Sequence, residues 1–314
     1  MFTSLIDFND FFKTEKKAIS YFIKMRWNGK VECPFENCDS KHFTSAKKKI
    51  YTLKSGKDFK CACCGKIFSY KTGTIFENSK LSMKKWFLAI YLMTSHKKGI
   101  SSPQLGKFLK IRQATAWFVL QRLRHVGKNF FNQNFDGITE IDECYVGGSE
   151  ANRHSADKKR TGAKEKTVIL GMVERETGQV KAIKVESAKT YDLQDAIYET
   201  VKEGSDIVTD SYAGYDCLGW NYKHSSVNHS AGEYVKTDAK TSYKIHTNTI
   251  EGYWSLVKRT INGTHHWISK KHTQSYLSEM EFRYNTRADL DTFRFTNFVN
   301  KVSGLRLKYK ELIA

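Results

Sequence analysis

Ile138-Thr-Glu-Ile-Asp-Glu-Cys-Tyr-Val-Gly-Gly148 is the stretch on which the reading of this chain turns. Branched and polar residues alternate from Ile138 to Ile141, the period of a strand with two unlike faces, and a glycine pair closes the run. Three carboxylates, Glu140, Asp142 and Glu143, stand inside it. Acids among Ile, Tyr and Val are unfavourable unless a cation or a fixed donor neutralises them. The two-residue period puts Asp142 on one face with Glu140 and Cys144. Taken alone, the run also suits an edge strand whose acids point into water. The order of elements downstream of Gly148 favours a buried strand instead.

Downstream the pattern is α/β. Thr167 to Val173 is an apolar strand, Glu174 to Gly178 a turn, and Gln179 to Val185 an alternating strand. With 138–146 these make a three-strand meander. Tyr191 to Glu203 has the spacing of a helix with Leu193, Ala196, Ile197, Thr200 and Val201 inward. Asp206 to Asp210 is a short strand ending in an acid, and a further strand is expected near 225–229. Thr247 or Asn248 can cap a helix running to about Thr260, striped by Ile250, Tyr253, Trp254 and Val257. Another helix is expected over about 271–287, followed by an aromatic segment with Phe293, Phe295 and Phe298.

Upstream, five of the seven cysteines lie between Cys33 and Cys64, which suits a metal in a reduced compartment better than a disulfide framework. Cys33 and Cys38, then Cys61 and Cys64 before a Gly knuckle, form the two pairs of a tetrahedral Zn²⁺ site. Cys63 is within reach of replacing one of them, and His42 is a weaker substitute. Residues 1–30 are an N-terminal helical segment, 31–72 a zinc ribbon. Residues 80–127 hold one helix striped by Met83, Trp86, Phe87, Ile90 and Met93, then two short helices with a tight joint at Lys110 to Arg112. That joint and an Arg-edged second helix are the grammar of a helix-turn-helix. Its candidate DNA contacts are Gln113, Thr115, Arg122 and Arg124; Lys158, Lys159 and Arg160 join them from the polar loop at 149–166, and Arg259 from the 248–260 helix.

The balance of 52 Lys+Arg against 33 Asp+Glu, a net charge of +19, implies a polyanionic partner, most simply nucleic acid. No secretory leader and no apolar run long enough to span a bilayer is present, so an intracellular protein is expected: cytoplasm or nucleoid in a prokaryote, nucleus in a eukaryote.

Strand with Asp, two antiparallel strands, helix, strand ending in Asp, then a helix carrying Glu is the element order of a ribonuclease-H-like core. The expected fold is therefore an α/β core of that kind over 136–300, a mixed sheet with helices, preceded by the zinc ribbon and the helix-turn-helix. Asp142, Asp210 and Glu251 occupy the three acid positions of such a core. Hard Mg²⁺ (or Mn²⁺) is held by a few carboxylates and substrate phosphate oxygens. Two such ions ~4 Å apart activate the attacking oxygen and stabilise the leaving one. Lys258, seven residues after Glu251, shares its helix face.

IDECYVGG (141–148), TDSYAGY (209–215) and HTNTIEGYWSLVKRTINGTHHWISKKH (246–272) resemble DDE insertion-sequence transposases with an N-terminal zinc ribbon, the ISXO2-like and Merlin-type families. The resemblance implies strand cleavage and transfer at terminal inverted repeats of double-stranded DNA by a homo-oligomer, at least a dimer on paired ends. Carried over by position, it makes Asp142, Asp210 and Glu251 the metal-holding acids, with Lys258 beside them. The first zinc pair departs from the family's usual two-residue spacing. A non-catalytic DNA-binding protein derived from a transposase is the competing account; a metal-dependent ribonuclease or resolvase fits the upstream modules less well.

Overall fold

The computed structural model describes residues 2–36, 38, 49–128, 130–131, 134–147, 166–237 and 243–314. His42, Lys158, Lys159 and Arg160 lie outside them. The chain divides into two compact units, one of residues 1–126 and 288–314, the other of 127–287.

The first unit opens with α1 (Leu5–Phe11) and α2 (Glu15–Trp27), each started by a hydroxyl cap, Ser4 and Thr14. An antiparallel sheet of β1 (Ile50–Thr52), β2 (Asp58–Cys61) and β3 (Ile67–Ser69) comes next. Then come α3 (Met83–Ser95), α4 (Ser102–Leu109) and α5 (Gln113–Lys128). Ser101 caps α4, and Lys110 ends it in the left-handed region at φ 51°, so α5 starts after a tight joint.

The second unit is built on a five-stranded mixed sheet in the order β6-β5-β4-β7-β8. β4 (Thr139–Val146), β5 (Thr167–Glu174) and β6 (Val180–Val185) form the antiparallel meander. After α6 (Thr190–Tyr198), β7 (Asp206–Asp210) joins β4 in parallel, and β8 (Lys223–Val227) joins β7 in parallel. β4 is thus central, not an edge. The short pair β9 (Lys236–Thr237) and β10 (Lys244–Ile245) leads into α7 (Asn248–Thr260) and α8 (Thr273–Asn285).

Strand alternation assigns the faces. Cys144, Val146, Ile169 and Val173 pack with Ile250, Tyr253, Trp254 and Val257 of α7 and Leu277 and Met280 of α8. Ile141, Leu170 and Met172 pack on the other side with Leu193 and Ile197 of α6 and with Tyr215 and Leu218. α6 stops at Tyr198, short of the expected Glu203, because Val201 leaves the helix to bridge Phe135.

The chain leaves the second unit at Arg287. α9 (Asp291–Asn300) and α10 (Tyr309–Ile313) belong to the first, where the Phe295 ring packs on Phe8, Phe12 and Phe87. Of the aromatic segment expected at the close of the catalytic domain, Phe295 and Phe298 are therefore buried in the other unit, while Phe293 is exposed.

Gly171 pairs with Asp142 across β5 and β4. A Cβ built on it would lie 2.4 Å from the Trp254 ring and 2.8 Å from Ile250 Cδ1, so only glycine lets α7 lie this close to the sheet. Gly171→Ala is expected to destabilise the second unit by about 1–3 kcal/mol through overpacking, and Gly171→Val by more. Calorimetric melting checks this; an unchanged melting temperature for both variants contradicts the packing described.

Candidate active site and metal centre

Asp142 and Asp210 come near each other just beyond the parallel pairing of β4 with β7. β4 and β7 align Thr139 with Ile207 and Glu140 with Val208. Two residues further along both strands are Asp142 and Asp210. Burial, then the charges of Glu143 and Asp210, push the Asp142 carboxyl up to about 7. The Trp254 indole N–H donates to its Oδ2 at 2.9 Å and opposes that rise. Glu143 faces the other side of the sheet. Burial raises its pKa, while the Tyr215 hydroxyl, donating at 2.7 Å, pulls it back.

Glu251 stands in the first turn of α7 with its side chain 46% exposed. Its Oε1 lies 3.3 Å from the Thr247 hydroxyl and 3.5 Å from His229 Nδ1. His229 comes just after β8, whose Val227 pairs with Asp210, so Glu251 looks toward the same strand ends from the helix. Lys258 and Arg259 are exposed further along α7. Lys258 is near enough to counter the rise that burial imposes on the Cys144 thiol.

Glu140 is fully buried and saturated. It accepts from Arg175 Nε at 2.7 Å, Thr249 N and Oγ1 at 2.8 Å each, and Ile250 N at 3.0 Å. His246 Nδ1 lies 3.2 Å away. Thr247 occupies the position that starts α7 but makes no side-chain capping bond. The expected Thr247 or Asn248 cap is replaced by a strand carboxylate.

The predicted DNA contacts divide. Gln113 and Thr115 are exposed at the start of α5, and Gln113 Nε2 reaches the Ser102 hydroxyl at 3.3 Å. Arg122 and Arg124 are buried instead of edging the helix. The Arg122 guanidinium donates to the Ile75 and Glu77 carbonyls at 2.8 and 3.1 Å and lies over the Phe118 ring. α5 is enclosed because residues 72–79 and the returning C-terminus pack on it, Tyr309 meeting Phe118 at 5.4 Å. Lys107, Lys110, Arg112 and Gln113 instead line an open depression at the α4–α5 joint, together with Pro103 and Ile111.

Cys33, Cys38, Cys61 and Cys64 converge, their sulfurs all within 4.8 Å of one another. Cys33 and Cys64 are 3.8 Å apart, Cys38 and Cys61 3.6 Å. Thiolates held tetrahedrally at ~2.3 Å from one ion stand about 3.8 Å apart, so the donor set fits zinc. Cys63 is not in the group. Among the described residues the three acids do not close to the same distance. Carboxylates that flank a pair of hydrated ions do not have to.

Residues 134–285 match the family described as the ISXO2-like transposase domain. An uncharacterized protein in transposable element ISH50 of Halobacterium salinarum is 27% identical over 285 residues, spanning 87% of this chain and 91% of that one. An uncharacterized transposase-like protein of Haemophilus influenzae is 31% identical over 114 residues, 34% of this chain and 81% of that one.

Between its ordinary value near 4 and about 7, folded Asp142 holds a proton that the unfolded chain has released. Stability of the metal-free protein therefore falls as pH rises through that window. Asp142→Asn removes the penalty. The metal-free variant is expected to melt higher than wild type at pH 8, by roughly 5 °C, with the gap closing toward pH 4. Melting curves at both pH values test this; a gap that widens on acidification contradicts it.

Proposed function

The chain belongs to the ISXO2-like transposase family, and from that footing we propose that it is an active DNA transposase, cleaving and joining strands at the terminal inverted repeats of an insertion sequence. The observation that carries this is the nearness of Asp142, in the middle of β4, to Asp210, at the end of the neighbouring parallel strand β7, on a sheet against which α7, the helix bearing Glu251, packs. The arrangement is that of a ribonuclease-H-like core. An acid raised to about 7 by burial and like charges marks a place suited to a cation.

Asp142, Asp210 and Glu251 would hold Mg²⁺ or Mn²⁺, which supplies activation of the attacking oxygen and stabilisation of the leaving one. The chain's residues do the rest. The Trp254 N–H orients the Asp142 carboxylate, Tyr215 fixes Glu143, and exposed Lys258 and Arg259 offer cations to the DNA backbone next to the acids. Upstream, α4 and α5 act as a helix-turn-helix, with Gln113 and Thr115 at the reading end and Lys107, Lys110 and Arg112 on phosphates. Paired ends call for at least a dimer. Among the described residues no helix is long and apolar enough to cross a membrane, and the reading puts the protein's work inside the cell, on DNA.

Zinc at Cys33, Cys38, Cys61 and Cys64 would stabilise a small ribbon in which, among the described residues, Phe59 and Phe68 pack with Trp27 and Phe35. One zinc per chain is expected by metal analysis. Cys61→Ser should lose it, and Cys63→Ser should keep it; the reverse pattern makes Cys63 a ligand.

Labelled end DNA with Mg²⁺ tests the enzyme. Wild type should give joined product, while Asp142→Asn, Asp210→Asn and Glu251→Gln bind the DNA but lose at least about a thousandfold in rate. Tight binding of the ends with no cutting under any divalent ion makes the protein a DNA-binding derivative. Cut but never joined ends make it a nuclease.

A further inference from the structure

We propose that Glu140 is a positioning residue that sets Glu251 in register with Asp142. The inference rests on reading Glu251 as a metal-holding acid. β4 carries both Glu140 and Asp142, two residues apart on one face. The Glu140 carboxylate accepts from the backbone N–H groups of Thr249 and Ile250 and from the Thr249 hydroxyl. Glu251 is the next residue. The strand bearing the first acid therefore holds the helix turn bearing the third, through a single side chain.

An ordinary cap does not do this. A Ser or Asp at the helix's own N-terminus satisfies the N–H groups but leaves the helix free to slide along the sheet. Here the acceptor lies 109 residues earlier in the chain than Thr249 and is rooted in the sheet. Arg175 completes the clamp. Its Nε binds Glu140, and its two terminal nitrogens donate to the Lys244 and His246 carbonyls at 2.5 and 2.7 Å, fixing the segment that enters α7. A second strut, the bond from Trp254 to Asp142, lies one turn further along. Between the two struts the helix can neither rotate nor translate without breaking a bond to β4, so Glu251 keeps one distance from Asp142. Glu140 has no lone pair directed at solvent, which separates its role from that of a metal ligand.

The experiment uses full-length wild type, Glu140→Gln, Thr249→Ala and Glu251→Gln. Mn²⁺ affinity is measured by calorimetry, end-DNA affinity by equilibrium binding, and strand cleavage by Mg²⁺ titration at saturating DNA. Glu140→Gln is expected to bind DNA within about twofold of wild type, while its metal affinity falls about 10–100-fold. Its cleavage should recover as Mg²⁺ is raised. Thr249→Ala should shift in the same direction by less, and it decides the matter if Glu140→Gln does not fold. Glu251→Gln should stay inactive at every Mg²⁺ concentration. A Glu140→Gln protein with the wild-type metal profile overturns the proposal while the enzyme reading stands. So does one that loses activity with no shift in metal dependence. Wild type that binds Mn²⁺ through Glu251 but cuts nothing overturns the enzyme reading and leaves the clamp to be judged on metal affinity alone.

Discussion

A carboxylate with no exposed surface governs the geometry of the second unit. Glu140 in the middle of the sheet would be untenable as a bare charge, since desolvating a carboxylate costs several kcal/mol. It is tolerated because a guanidinium and the positive end of a helix converge on it. The dependence runs both ways. α7 has no side-chain cap of its own, so without Glu140 two of its leading N–H groups lack an acceptor. Breaking such a pair from one side leaves the other partner buried and unmatched, a loss on the order of 3–5 kcal/mol.

Asp142, two residues along, is treated in the opposite way. It receives the Trp254 indole N–H and the Glu143 backbone N–H, and the charges of Asp210 and, from the other face of the strand, Glu143 weigh against its ionisation. A fold that can saturate Glu140 and leaves its neighbour under-satisfied concentrates negative potential at a single place. On the function proposed above, this is where a cation is held. Gly171 belongs to the same arrangement. Its missing side chain admits the Trp254 ring that keeps the Asp142 carboxylate oriented.

Much of this was legible in the sequence because it is local. Alternation in 138–146, the apolar run from Thr167 and the stripe of Ile250, Tyr253, Trp254 and Val257 give strands and helices directly, and their order gives the mixed sheet. The cysteine pairs were readable from spacing, and the sulfurs of Cys33, Cys38, Cys61 and Cys64 do converge. What escaped is long-range. Arg175 sits in a stretch that reads only as a turn, and nothing near it announces a partner 35 residues back. Arg122 and Arg124 have the look of a helix edge, yet α5 is enclosed by segments distant in sequence, so both are buried.

Those distant segments also explain why the unit boundaries could not be read from pattern. Phe293, Phe295 and Phe298 look like the end of the domain they follow. Instead Phe295 enters an aromatic core with Phe8, Phe12 and Phe87, and Ser303 bridges back to Thr74. The first unit is discontinuous. Its core stays open until residues beyond 287 are available, whereas the second unit contains all of its own sheet and helices. Burying an aromatic side chain contributes about 1.5–3 kcal/mol, so the returning helix is a structural part of the first unit. Periodicity reports which face of α9 is apolar. It carries no information about which core receives that face, and this is where a reading by pattern alone must stop.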